Sequence, residues 1–174
     1  MDHVASRIEQ WRNELPDVDT QGMAILGRLR WITLSVRPEI ERVFARHGLD
    51  TGEFDVVSTL LRAGRPYRLR PTELYKSLMI SSGGLTNRLD RLAKGGWIKR
   101  VESDTDKRSL IVELTPQGRA RTEAAFREDM QIERELLAHL PDRDRRALAA
   151  LLEKLASELT IASLATKPPT GKAD

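Results

Sequence analysis

The run from Ser81 to Arg108, SSGGLTNRLDRLAKGGWIKRVESDTDKR, constrains this chain more than any other stretch. Small residues open it. Leu85, Leu89 and Leu92 then recur at spacings of four and three, the period of one helix face. Thr86, Asn87, Arg88, Asp90, Arg91 and Lys94 fall off that face. Ser81 or Ser82 is the expected N-cap, and Gly95-Gly96 the stop. Trp97–Val101 and Leu110–Leu114 are rich in strand-forming residues, and the charged linker 102–109 makes them a long-tipped hairpin. Upstream, Pro71 suits a first helical position, and a short helix follows to Leu78 with Leu74 and Leu78 inward. A short helix, a turn, a longer helix and a hairpin make a winged helix-turn-helix.

The flanks read as helices. Val4, Ile8, Trp11 and Leu15 predict a first helix ending before Pro16. A longer one is expected from Val18 to His47, with Ile25, Leu29, Ile32, Val36, Ile40 and Val43 on one stripe and a kink or break at Pro38. Asp50 with Glu53 predicts a capping box for a helix from Thr51 to Ala63 that buries Phe54, Val57, Leu60 and Leu61. Tyr67–Leu69 reads as a brief extended piece. After Thr115-Pro116 a helix to about Leu140 is expected, then a break at Pro141 and a last helix. The fold class is therefore mainly α with a small β-hairpin wing. The expected divisions are 1–48 (N-terminal helices), 49–115 (winged helix-turn-helix), 116–166 (C-terminal helices) and 167–174 (a disordered tail).

Charge separates the middle from the ends. From Arg62 to Arg108 there are 12 Lys and Arg against 5 Asp and Glu, a net of +7 within a chain whose total is +3. A basic centre between acidic flanks points to a polyanion partner, although such a run also suits a solvated face. No apolar run approaches the roughly 20 residues that span a bilayer, and no signal-peptide pattern opens the chain, so no membrane partner and a cytoplasmic location are expected. With no cysteine, and with His3, His47 and His139 far apart, neither a catalytic set nor a metal site nor a cofactor is expected.

The partner expected is double-stranded DNA. A recognition helix enters the major groove by its N-terminal end. Small residues at Ser81, Ser82, Gly83 and Gly84 allow close approach, and free N–H groups at a positive helix end suit phosphate. Thr86 and Asn87 can reach base edges, Asn pairing well with adenine, and Arg91 can reach guanine or phosphate. Lys107 and Arg108 at the wing tip suit a minor groove. Arg65 and Arg70, with Arg62 and Arg68, crowd the turn before the first helix and suit the DNA backbone. One such module reads few bases, so two of them about 34 Å apart on a palindromic operator give useful specificity. Leu136, Leu137, Leu140, Leu148, Leu151, Leu152, Leu155 and Leu159 exceed what one winged helix can cover, which predicts a homodimer.

From Leu49–Gly64 through Pro71–Arg100 to Asp104–Gly118 the wording resembles the MarR family of winged-helix transcription regulators, most specifically in the wing residues Asp104 and Arg108. The resemblance implies dimerisation through the N- and C-terminal helices and release from DNA by a small effector. Arg70 departs from the family pattern, which has a small polar cap before Pro71. Trp11, Asp55, Arg88 and Arg100, the extra N-terminal helix, and the segments PYRLRPTEL and SSGGLTNRLDRL are similar to the urate-responsive branch, of PecS and HucR type. That resemblance implies a small anionic effector such as urate. Two guanidiniums would meet its charge and an indole its face. In the mechanism it suggests, Asp55 pairs with Arg88 or Arg100 until the anion competes. The alternatives are a phenolic or aromatic acid as effector, or a winged-helix protein-interaction module with no ligand switch. If the four residues are structural and no ligand site, Asp55 is a partly buried ion pair, Arg88 a phosphate contact and Trp11 core packing.

Overall fold

A computed structural model describes residues 2–78, 84–102 and 110–165, with side chains of the last helix to residue 159. Seven α-helices, one π-helical turn and three strands are described: α1 His3–Glu14, the π turn Met23–Gly27, α2 Arg28–Arg46, α3 Thr51–Arg62, β1 Arg68–Leu69, α4 Pro71–Ser77, α5 Leu85–Lys94, β2 Ile98–Glu102, β3 Leu110–Leu114, α6 Pro116–Leu136 and α7 Asp142–Ala165. The chain divides into two compact units, residues 1–133 and 134–174. Among the described residues no helix is long and apolar enough to cross a membrane.

In the first unit the core gathers under α3, which begins where its sequence predicts. Asp50 accepts from the Glu53 N–H at 2.7 Å, and Glu53 accepts from the Asp50 N–H at 2.9 Å. Val56, Val57 and Leu60 of α3 are fully buried with Val43 and Phe44 of α2, Leu74 of α4, Leu92 of α5, Trp97, and Val112 and Leu114 of β3. The sheet order is β1-β3-β2, all antiparallel, with Ile98 opposite Leu114 and Leu69 opposite Val112. Arg46 and His47 both bond Glu128, tying the end of α2 to α6 and holding the Glu128 carboxyl below its ordinary pKa, Arg46 most and then His47.

Four sequence expectations change. α2 runs through Pro38 without a break. Both Pro38 and Leu34, whose carbonyl loses its intrahelical donor, lie on the exposed side, where water can satisfy that oxygen. The irregularity lies earlier, in the π turn, where a Cβ on Gly27 would sit 3.2 Å from Val4 Cγ1 of α1. The stripe on the second helix is only partly buried: Val43 is fully covered, but Ile25 and Ile32 are about half exposed. Helix α6 stops at Leu136, and the Leu140 N–H bonds the Leu137 carbonyl in a turn.

In the second unit α7 starts after Pro141, with Asp142 and Asp144 in its first turn, where the helix dipole favours acids.

Candidate nucleic-acid interface

Helix α5 starts at Leu85, later than a cap at Ser81 or Ser82 places it. Gly84 precedes it with φ +73°, a left-handed backbone that glycine adopts without strain and that breaks the helix there. Thr86 and Asn87 are exposed on the first turn of α5 and, with Pro71, Thr72, Tyr75 and Lys76 of α4, line a cavity of about 530 Å³. Side chains that can hydrogen-bond base edges therefore ring the junction of the two helices. Arg65 and Arg70 are exposed on the segment leading into α4. Arg70 supplies no side-chain cap; instead its own N–H donates to Glu73 Oε2 at 2.8 Å, which answers part of the loss expected there. Ser81, Ser82, Gly83, Lys107 and Arg108 lie outside the described residues.

The off-stripe cations of α5 have defined surroundings. Arg91 donates from Nε to Glu53 Oε1 at 2.6 Å and from Nη2 to Asp50 Oδ2 at 2.7 Å. Glu53 above all, then Asp50, raises the Arg91 pKa further, so the guanidinium stays charged. Arg88, one turn back, lays its guanidinium over Gly52, where a Cβ would lie 2.4 Å from Nε and 2.6 Å from Cζ. Only a residue without a side chain leaves that seat open.

The C-terminal end of α5 is held as closely. Thr115 Oγ1 donates to the Gly96 carbonyl at 2.7 Å and accepts from the Gly118 N–H. Arg121 stacks 3.7 Å over the Trp97 ring. Gly118 packs so tightly that a Cβ there would lie 1.9 Å from the Trp97 carbonyl oxygen.

The four residues expected at an effector site are placed as follows. Asp55 is buried in α3, one turn beyond Gly52. Arg100 of β2 donates to Asp90 Oδ1 of α5 at 2.6 Å. Arg88 lines a cavity of about 620 Å³ with Thr33, Val36, Ile40, Thr51 and Gly52 and the charged Arg37, Glu41 and Asp50. Trp11, half exposed, lines a smaller cavity of about 240 Å³ with Leu15, Val18 and Met23. The two cavities share no lining residue.

Glu53, Gly52, Gly118 and Arg121 were not legible as site residues. Glu53 reads as a helix cap, and only the spacing of Arg88 and Arg91 on one side of α5 hints at an acidic counterpart.

Comparison with known proteins places the chain in a family. Residues 47–109 match the model described as the MarR family. The chain is 35% identical over 156 residues to the HTH-type transcriptional regulator PecS of Dickeya dadantii, covering 90% of this chain and 94% of that one. Wild-type apo MarR from E. coli superposes with a TM-score of 0.58 at 30% identity, over 75% of this chain and 96% of that one. A MarR-like regulator from Bacillus cereus superposes with a TM-score of 0.71 at 16% identity, over 81% of this chain and 99% of that one, a likeness of fold.

Proposed function

The chain belongs to the MarR family of DNA-binding transcription regulators, and from that premise we propose that it is a homodimeric repressor of a palindromic operator, released when a small planar anion such as urate enters the cavity at Arg88. The protein is a regulator and not an enzyme. The observation that carries the reading is the double membership of Arg88. Its guanidinium sits on α3 at Gly52 and lines the 620 Å³ cavity, while its backbone belongs to the helix that presents Thr86 and Asn87. That volume falls in the range of small-molecule pockets, roughly 300–1,000 Å³.

In this reading Thr86 and Asn87 meet base edges. Arg65, Arg70, Ser81, Ser82, Gly83, Lys107 and Arg108 meet the DNA backbone and minor groove. An anion in the cavity draws Arg88 off α3, and buried Asp55 opposes the second negative charge. Arg100, bonded to Asp90, carries the change to the wing. Moving α5 alters the separation of two reading heads on their half-sites. A coupling of about 1–3 kcal/mol suffices for release. The uncovered leucines of α7 support the dimer.

The test uses a duplex selected by the wild-type protein from a random pool. Millimolar urate should raise the melting temperature and release that duplex. Gly52→Ala, which displaces the flexible end of Arg88, and Arg88→Lys should both blunt the response. If urate does neither while a salicylate-type acid does both, the effector is a phenolic acid. If no planar anion acts, the switch reading is wrong.

A further inference from the structure

Arg91 looks at first like another DNA contact on the recognition helix, but its surroundings argue otherwise. Nε and Nη2 are spent on Glu53 and Asp50. The Glu53 side chain is 11% exposed, and its other oxygen holds the Asp50 N–H. Its carboxylate is therefore held by the helix cap as well as by Arg91. With both carboxylates on it, the Arg91 guanidinium offers phosphate less attraction than an unpaired one would. These residues are 38 and 41 positions apart in the chain, so the contact is a tertiary one between α5 and the start of α3.

We infer that Arg91 is a positioning residue, a clamp by which Asp50 and Glu53 fix the recognition helix against α3 so that operator sequence is read in register. The planar fork of Arg spans the two carboxylates, which the single ammonium of Lys cannot do in the same way. The clamp does not depend on the effector reading, although Asp50 also lines the cavity at Arg88.

The two roles for Arg91 predict opposite signs. Asp50→Asn and Glu53→Gln keep the helix caps, since Asn caps as well as Asp and Gln serves in a capping box. Both remove negative charge. If Arg91 is a phosphate contact, these variants free it, and affinity rises for operator and random duplex alike. If it is a clamp, operator affinity falls about tenfold, the scale of coupling within one ion-pair network, while random-duplex affinity does not fall.

Arg91→Lys separates the roles again. A phosphate contact survives it, whereas the clamp fails with the same selective loss of operator. In Arg91→Gln the slope of log affinity against log salt should stay at the wild-type value while operator affinity falls. A slope reduced by about 0.9, the signature of one lost phosphate contact, overturns the inference, as does unchanged operator affinity. Urate response is not read in any arm, so failure of the clamp and failure of the effector proposal are distinguishable.

Discussion

Leu60, Leu74 and Leu92 expose 1% of their surface or less, whereas Leu148, Leu151 and Leu159 expose 42%, 67% and 55%. The same side chain is core in the winged-helix region and surface in α7. The N-terminal helices behave as α7 does, with Ile25, Leu26, Trp31, Ile32 and Leu34 open. The winged helix closes its core with Val43 and Phe44 of α2 and Ala125 of α6, all within one chain. The terminal helices present apolar faces whose contact with water costs about 25 cal/mol per Å², and the proposed homodimer would cover them. Residues proposed to read DNA thus sit on the closed part of the molecule, and residues proposed to pair two readers sit on the open part.

The contrast breaks most readily at Gly118. A Cβ there meets the Trp97 carbonyl at 1.9 Å and its carbonyl carbon at 2.6 Å, all backbone that cannot rotate away. Gly118→Ala should push α6 off the turn after α5 and cost more than about 3 kcal/mol. Chemical denaturation of the two proteins measures this. A variant that unfolds at the wild-type denaturant midpoint would mean the winged helix is not closed as described.

A double change on the open side should act differently. Leu148→Glu with Leu151→Glu leaves the buried core untouched. Helical content and core packing should persist while the protein sediments as a monomer. Operator affinity should fall on the order of a hundredfold or more, because the second reading head no longer binds at high effective concentration. A variant that stays dimeric would show that the exposed leucines of α7 are not the pairing surface.

What could be read in advance follows the same division. Leu85, Leu89 and Leu92, the Asp50–Glu53 box and the Gly95-Gly96 stop are local signals, and each yields the element it predicts. Pro38 misleads because its effect depends on whether the Leu34 carbonyl reaches water, which is a tertiary matter. The ion pair of Arg91 is not legible in advance because its carboxylates come from a helix some 40 positions away. Gly118 looks like any residue of a first helical turn until Trp97 is seen against it. The four residues proposed for the effector come from separate elements. Arg88 and Trp11 line different cavities, so spacing along the chain does not reveal how they combine.

The smallest effect expected lies at a buried side-chain oxygen of α6. Asp129 of α6 is 5% exposed, and its Oδ1 has no hydrogen-bond partner among the described residues. Burial, and then the charge of Glu133, push its pKa up from 3.8 to about 6. Between pH 4 and pH 6 the folded protein therefore holds a proton that the unfolded chain has released. Stability must fall as pH rises through that window and stay at the lower level above it. Asp129→Asn removes the charge and keeps the shape. At pH 7.5 the variant should be more stable than wild type by on the order of 1 kcal/mol, part of the cost of a buried unpaired charge, with the new amide still short of partners. The advantage should shrink as pH drops below 6 and vanish near pH 4. Paired unfolding curves across that range would show it. Parallel pH profiles for the two proteins would mean that Asp129 stays ionised with a partner in solution.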